Sequence, residues 1–473
     1  MHRKSIFAIL LFTAYTWSVL AQSSPKPHGA VPNKHQLTWQ NMEYYMFIHF
    51  GPNTFTDKEW GHGDEDPKVF NPKKLDAGQW ARTAKAAGMT AIIITAKHHD
   101  GFCLFPSKYS THTVRESAWK DGQGDVLKEL SAACKEYGLK FGVYLSPWDR
   151  NHPDYGTSKY NDVFANTLNE VHTQYGPIFE QWFDGAKGEG EKKQDYDFQK
   201  FYAVVRKNNP QAVIFSDIGP DVRWMGNEKG IAGETNWSTL NTDGFGVGAD
   251  APPAAVLNTG NEGGKYWIPA EVDVSIRPGW FYSAATDDKV KTLKQLESIW
   301  NTSVGRNANL LLNVPVNRDG LIHPADSTRL MELRKFLDAA YKTNLAKGKN
   351  ITGVSTRGSN FVTKNLIDGN PDTYWSATEN FENAEFTIDF VQPVEMNRIV
   401  LQEYLKLGQR TKSFAVLYWD GREYKVLDQQ TTIGHKRILS FPTIKTSKLK
   451  FHFDKLAVPP AIAEVGVYKA PDL

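Results

Sequence analysis

Cysteine is scarce: only Cys103 and Cys134 occur in 473 residues. One disulfide or two buried thiols both fit that number, but a disulfide-built scaffold and a thiolate metal site are excluded. Charge of one sign is lacking too, with 55 Lys and Arg against 53 Asp and Glu. A near-neutral chain is no electrostatic attractor for nucleic acid or an acidic membrane. Long apolar runs are absent except at the start, where Ile6 to Val19 follow Arg3 and Lys4 and lead to Val19-Leu20-Ala21. That order predicts a signal peptide over residues 1–21 and export to the periplasm or the exterior. The run is shorter than the ~20 apolar residues of a span, so no membrane anchor is expected. Removing Arg3 and Lys4 with it leaves a net charge of zero. No Gly-rich dinucleotide loop follows the first expected strand, which weighs against a nucleotide-binding sheet. Internal repeats and low-complexity tracts are absent as well.

Aromatic residues, in contrast, are plentiful, with 14 Trp and 19 Tyr. They suit either sugar platforms or an aromatic core. From Tyr44 to Ala340 short apolar runs alternate with amphipathic ones. Strands are expected at Met46–Phe50, Thr90–Thr95, Lys140–Leu145, Ile178–Phe183, Ala212–Asp217 and Ala308–Val314. Helices are expected at Pro72–Gly88, Asp125–Tyr137, Tyr160–Tyr175, Phe198–Asn208, Asp287–Val304 and Thr328–Lys342. Residues 220–285 are rich in Gly and Pro and lose the alternation. Repeated strand–helix units imply a parallel sheet with helices outside. Beyond Asn350 the pattern is all-β, with short strands at Glu385–Phe390, Arg398–Gln402, Phe414–Tyr418, Ile438–Phe441, Lys448–Phe453 and Glu464–Tyr468. The expected fold class is α/β plus all-β: a (β/α)8-type barrel over residues 28–342, then a C-terminal β-sandwich over residues 346–473.

Polar groups collect where the barrel strands end. His49 follows the first, and Lys97-His98-His99-Asp100-Gly101 the second. Tyr144 closes the third before Ser146-Pro147-Trp148-Asp149, Asp184 the fourth and Asp217 the fifth. Barrel geometry brings these ends around one mouth. Such a set suits glycoside hydrolysis, which needs two carboxyl groups flanking the scissile bond. It could also suit metal-dependent hydrolysis with His49, His98, His99 and Asp184 as ligands. Adjacent histidines point differently, so no metal site is assigned.

The ordered pieces Met46-Phe47-Ile48-His49-Phe50-Gly51, Glu59-Trp60, Ala96-Lys97-His98-His99-Asp100-Gly101-Phe102, Trp182-Phe183-Asp184-Gly185 and Asn309-Leu310-Leu311-Leu312-Asn313-Val314 span the barrel. Together they resemble the α-L-fucosidases of glycoside hydrolase family 29. Arg223-Trp224-Met225-Gly226-Asn227-Glu228 and Ser275-Ile276-Arg277-Pro278-Gly279-Trp280-Phe281-Tyr282 resemble the subfamily that prefers α-1,3- and α-1,4-linked fucose. The resemblance implies a retaining exo-enzyme acting on fucosylated oligosaccharides or glycoconjugates without a catalytic cofactor. Asp184 would be the nucleophile, kept ionised by neighbouring donors. Glu228 would be the acid/base, with Trp224 as an apolar wall that raises its pKa. Glu234 is the alternative acid, and Asp217 reads as a turn-capping group. His49, Glu59, Trp60, His98, His99, Tyr144, Trp182 and Trp280 match sugar-binding positions. Phe47 or Trp280 would receive the fucose methyl, and Arg277 either orients a carboxylate or lies on the surface. A non-hydrolytic fucosylated-glycan-binding protein is the reading of a different class.

Ile367-Asp368-Gly369-Asn370-Pro371-Asp372-Thr373-Tyr374-Trp375 resembles a loop of discoidin-like (coagulation factor 5/8 C type) modules. In those modules the loop often surrounds a structural Ca2+, whose hard-ligand preference the residues could meet. Sequons occur at Asn236, Asn301 and Asn350. Oligomeric state is not legible in the sequence.

Overall fold

The computed structural model describes residues 23–248, 250–379, 384–454 and 457–473. The expected signal peptide, residues 1–21, lies outside the described residues. Eight parallel strands close into a barrel: β1 (Tyr44–Ile48), β2 (Ala91–Lys97), β3 (Lys140–Leu145), β4 (Ile178–Trp182), β5 (Val213–Ser216), β6 (Val222–Trp224), β7 (Ala270–Ser275) and β8 (Ala308–Asn313). Neighbours follow chain order, and β8 closes on β1 with Tyr44 opposite Leu310 and Phe47 opposite Asn313. Six strands stand where the sequence predicts them, within a few residues. The other two, β6 and β7, lie in the stretch where the alternation is lost.

Side-chain alternation splits the strands into two faces. Outward residues such as Met46, Ile48, Ile92, Ile94 and Val143 join the surrounding helices in one large core. Inward residues Tyr45, Phe47, Ile93, Tyr144, Trp182, Phe215 and Leu311 fill the barrel. Burying a side chain such as Phe47 or Phe215 contributes about 1.5–3 kcal/mol. The interior also admits acids. Glu180 accepts the Trp39 indole N–H at 2.9 Å, and Glu271 accepts that of Trp182 at 2.8 Å as well as the Tyr45 hydroxyl. Burial raises both carboxyls, and the charge of Glu271 raises Glu180 further.

Caps fix the helix boundaries. The Val126–Tyr137 helix starts where Asp125 accepts the Lys128 N–H at 2.9 Å and stops at left-handed Gly138. Losing such a cap costs about 1 kcal/mol. The helix expected over Pro72–Gly88 begins only at Ala77, because Asp76 caps it at Gln79. The one expected over Asp287–Val304 runs from Leu293 to Thr302. A Thr292/Gln295 capping box starts it, and Ala284–Thr286 forms a separate 3-10 turn. Strict strand–helix alternation also fails once: only residues 217–221 join β5 to β6. Cys103 and Cys134 are buried free thiols, so no disulfide joins them. No helix among the described residues is long and apolar enough to cross a membrane.

The C-terminal domain is an antiparallel β-sandwich. Glu385–Phe390 and Arg398–Gln402, expected as separate strands, are two arms of one strand, Ala384–Glu403. Ile438–Phe441 and Lys448–Phe453 likewise belong to Arg437–Asp454. Register breaks between Asp389 and Val394 and between Met396 and Arg398 bend the pair around a core that includes Trp375, Phe386 and Phe451. Hydrogen bonds tie this domain to the barrel: Gln409 Nε2 donates to the Asn236 carbonyl at 2.9 Å, and its Oε1 accepts the Ser238 N–H at 2.8 Å. Asn236 is fully buried and its amide donates to Arg306, so the sequon there is closed to modification.

Candidate active site

A cavity of about 290 Å³ opens at the C-terminal ends of the barrel strands. His49, Trp60, His98, His99, Tyr144, Trp182, Asp184, Glu228 and Trp280 line it, together with Phe47, Asp217, Trp224 and Asp273. Such a volume suits one sugar ring. A larger hollow, about 860 Å³, lies among Lys34, Lys128, Phe141 and Phe179 and has no carboxyl group in its wall. Of the two, only the smaller one is lined by carboxyl groups.

Asp184 sits just past β4, where the chain turns through Gly185. The Tyr144 hydroxyl donates to its Oδ2 at 2.8 Å, and the Ala186 N–H donates to Oδ1 at 2.7 Å. Glu228 follows β6 on the Gly226-Asn227 turn and faces the same cavity. Burial raises its pKa, a hydrogen bond from Trp280 opposes this, and the charges of Asp184 and Glu59 raise it further. Glu234, the alternative acid, is elsewhere. Its side chain is 81% exposed beside Arg306, and its carbonyl accepts from Arg437 at the domain junction.

The three histidines are neutral. Burial pushes His49 down to about 3, His99 to about 4, and His98 well below the imidazole range. Their tautomers follow from their partners. Ser146 gives its only hydroxyl proton to the Trp148 carbonyl at 2.8 Å, so His99 Nδ1, 2.7 Å from that hydroxyl, must donate to it. His99 Nε2 then turns a lone pair toward the site, 3.7 Å from Asp184 Oδ2. Asn313 spends its amide hydrogens on Ser275 and the Trp280 carbonyl, so its Oδ1 accepts from His49 Nδ1 at 2.9 Å. His49 Nε2 is likewise left as an acceptor. Both imidazoles can therefore receive a sugar hydroxyl.

Several expected roles change. Trp182 has no N–H to offer a hydroxyl, because Glu271 takes it; its ring stacks on Phe215 at 4.0 Å and lies against Tyr144. Glu59 stands at the rim outside the cavity wall and accepts the Trp280 N–H at 2.8 Å, which positions that loop. Arg277 is neither at the mouth nor on the surface. It is fully buried, pairing with Asp326 at 2.7 Å and Asp287 at 2.9 Å. Asp217 borders the cavity, and burial plus the Asp184 charge pushes it up to about 6. Asp273, Ser275 and Asn313 carry site contacts for which the sequence analysis offers no role.

In the sandwich loop, Asp368 accepts the Asn370 N–H at 2.8 Å and the Thr373 hydroxyl at 2.7 Å. Glu464 is pushed up to about 7 by burial and by Asp368. Two adjacent acids suit a hard cation, but among the described residues no group of three acidic, His or Cys side chains is arranged so that it could hold a metal ion. The loop therefore fits a Ca2+ only in part.

Comparison with known proteins adds five findings. The sequence model of a family described as alpha-L-fucosidase matches residues 14–341, and that of the F5/8 type C domain matches residues 350–465. Alpha-L-fucosidase 1 of Arabidopsis thaliana is 41% identical, over 99% of this chain and 94% of its own. A Ruminococcus gnavus GH29 fucosidase solved in complex with fucose superposes with a TM-score of 0.88 at 33% identity, over 96% of this chain and 98% of that one. A glycoside hydrolase 29 family member from an unknown rumen bacterium gives 0.84 at 42% identity, over 95% of this chain and 79% of that one.

Proposed function

The chain belongs to the α-L-fucosidases, glycoside hydrolase family 29, and from that premise we propose that it releases terminal α-1,3- or α-1,4-linked L-fucose from glycans by double displacement. The observation that carries the reading is one cavity holding Asp184 and Glu228 with different surroundings. Asp184 is fed by hydrogen-bond donors, whereas burial and the charge of Asp184 raise the pKa of Glu228.

In the first step Asp184 attacks the anomeric carbon while Glu228 gives its proton to the departing glycosidic oxygen. The C–O bond to the aglycone breaks and a fucosyl ester forms on Asp184. In the second step Glu228 takes a proton from water, whose oxygen attacks the same carbon, and Asp184 leaves as a carboxylate. Two inversions retain configuration, which calls for carboxyl groups roughly 5–5.5 Å apart. His49 and His99 accept sugar hydroxyls, and the apolar faces of Phe47 and Trp280 receive the methyl. A site built to bond hydroxyls rejects sugars that lack them.

The test is turnover of 4-nitrophenyl α-L-fucoside. Release of 4-nitrophenol that disappears in Asp184→Ala is expected. Binding of fucosylated glycans without release would support the lectin reading instead. Lewis-type trisaccharides assayed beside 2′-fucosyllactose decide the linkage, with the branched trisaccharides expected to be cleaved faster. Activity that EDTA removes and Zn2+ restores would contradict the carboxylate mechanism. Export through the residue 1–21 segment belongs to the same proposal and is read by the N-terminal sequence of the secreted chain. A Ca2+ held at Asp368 and Glu464 would be structural, and a calcium-dependent shift in Tm reads it.

A further inference from the structure

Four carboxylic acids line the cavity, and double displacement uses two of them. Of the surplus pair, Asp273 is the more deeply placed, at 4% exposure. It sits on β7, whose inward positions are Glu271, Asp273 and Ser275. Each holds part of the wall. Glu271 binds the Trp182 indole, Asp273 Oδ1 accepts the Trp224 indole N–H at 3.0 Å, and Ser275 accepts from Asn313, the partner of His49. The other Asp273 oxygen has no side-chain partner among the described residues. No Lys or Arg lines the cavity. The charged neighbours facing Asp273 are Glu228 and Glu271, both acids, and with burial they push its carboxyl well above the usual range.

We propose that Asp273 is a further substrate-contacting group, a carboxylic acid on the cavity floor that hydrogen-bonds a fucose hydroxyl through the oxygen Trp224 leaves free. The inference rests on the fucosidase reading of this cavity and adds one contact to it. A neutral carboxyl both donates and accepts, as a hydroxyl partner requires, and adds no charge beside Asp184 and Glu228. A primary amide has the same shape and the same donor–acceptor pair. Asparagine therefore replaces this aspartate, and alanine does not.

The experiment uses the full chain and measures inhibition of aryl-fucoside turnover by L-fucose and by its 2-, 3- and 4-deoxy analogues. Asp273→Ala is expected to weaken inhibition by L-fucose roughly tenfold, the scale of one lost hydrogen bond in a desolvated site. Asp273→Asn is expected to stay within about threefold of the parent on the same scale. With the analogue that lacks the contacted hydroxyl, Asp273→Ala and the parent should inhibit alike. Trp224→Phe separates contact from support: it removes the indole N–H, yet should keep the parent's ranking of the analogues. The inference is overturned if Asp273→Asn binds as weakly as Asp273→Ala, or if Asp273→Ala ranks all three analogues as the parent does. Should Asp273→Ala fail to fold, Asp273→Leu, close to aspartate in shape but unable to hydrogen-bond, takes its place in both comparisons. A parent that neither turns over the aryl fucoside nor binds L-fucose sinks the fucosidase reading itself. A working parent indifferent to Asp273 sinks only this contact.

Discussion

Tyr144 donates its hydroxyl to Asp184 Oδ2 at 2.8 Å, on the oxygen that also lies 3.7 Å from His99 Nε2. Burial and the Asp184 charge raise the phenol well above its usual range, so the hydrogen stays in place to orient the nucleophile. Tyr144→Phe keeps the ring against Trp182 and deletes only this bond. Loss of one aimed donor at a reacting group costs about 10²–10³ in kcat where the donor meets the developing charge. Here it meets the nucleophile, so kcat/KM for the aryl fucoside should fall roughly 10- to 100-fold. An unchanged kcat/KM would remove this bond from the mechanism.

Glu228 and Glu234 are separated by six positions but by very different surroundings. Glu228→Gln should abolish cleavage of natural glycans, whose leaving groups need a proton, and spare part of the turnover of a 4-nitrophenyl fucoside, whose leaving group does not. Glu234→Gln should keep kcat/KM within about twofold, as an exposed surface change. In the parent, kcat/KM should decline on the alkaline side as Glu228 loses its proton, above the ordinary glutamate range because its pKa is raised. A Glu234 variant that loses glycan cleavage while Glu228→Gln retains it would reverse the assignment.

The same residues show why part of the site is legible in the sequence and part is not. Asp184 stands out because it ends the run Ile178–Phe183, and a lone acid after a buried strand has few structural uses. β2 and β8 stand out because Ile92-Ile93-Ile94 and Leu310-Leu311-Leu312 are apolar on both faces, as strands inside a ring of helices should be. β7 reads Ala-Glu-Val-Asp-Val-Ser, alternating polar and apolar. That pattern suggests a half-exposed strand, yet here the acids face into the barrel, and Asp273 is lost with the strand. β6 is three residues long, too short to show any period. Roles such as those of Glu59 and Trp182 depend on which N–H reaches which oxygen, and spacing does not encode that. The Thr292/Gln295 capping box was readable, by contrast, and marks the true start of its helix.

Asp217 carries a folded-state cost that depends on pH. Its carboxyl is pushed up to about 6, against 3.8 ordinarily, because burial and Asp184 both disfavour its charge. The folded chain thus binds more protons than the unfolded one between about pH 4 and 6, and stability falls as pH rises through that window. Asp217→Asn removes the ionisation. It should raise Tm at pH 7.5 and leave it unchanged near pH 4, where the acid is protonated in the fold. Thermal unfolding at the two pH values checks this, and an equal shift at both would assign the effect to packing.

Glu43 gives the opposite sign and lies at the joint between the domains. It accepts from His435 Nε2 at 2.9 Å and from Lys436 at 2.6 Å, both on the β-sandwich side. These partners outweigh burial and hold its carboxyl down at about 2, against 4.5 ordinarily. Stability from this group is therefore present above about pH 4.5 and is lost as pH falls from there toward 2. With side chains 19% exposed on each side, the contribution at neutral pH is on the order of 2–3 kcal/mol. Lys436→Ala leaves Glu43 with one partner and should lower Tm by several degrees at pH 7. The difference between parent and variant should shrink toward pH 3, because Glu43 is protonated in the unfolded chain there and keeping it ionised in the parent's fold gains less. A Lys436→Ala deficit that stays constant down to pH 3 would mean that Lys436 acts through its alkyl packing and not through its charge.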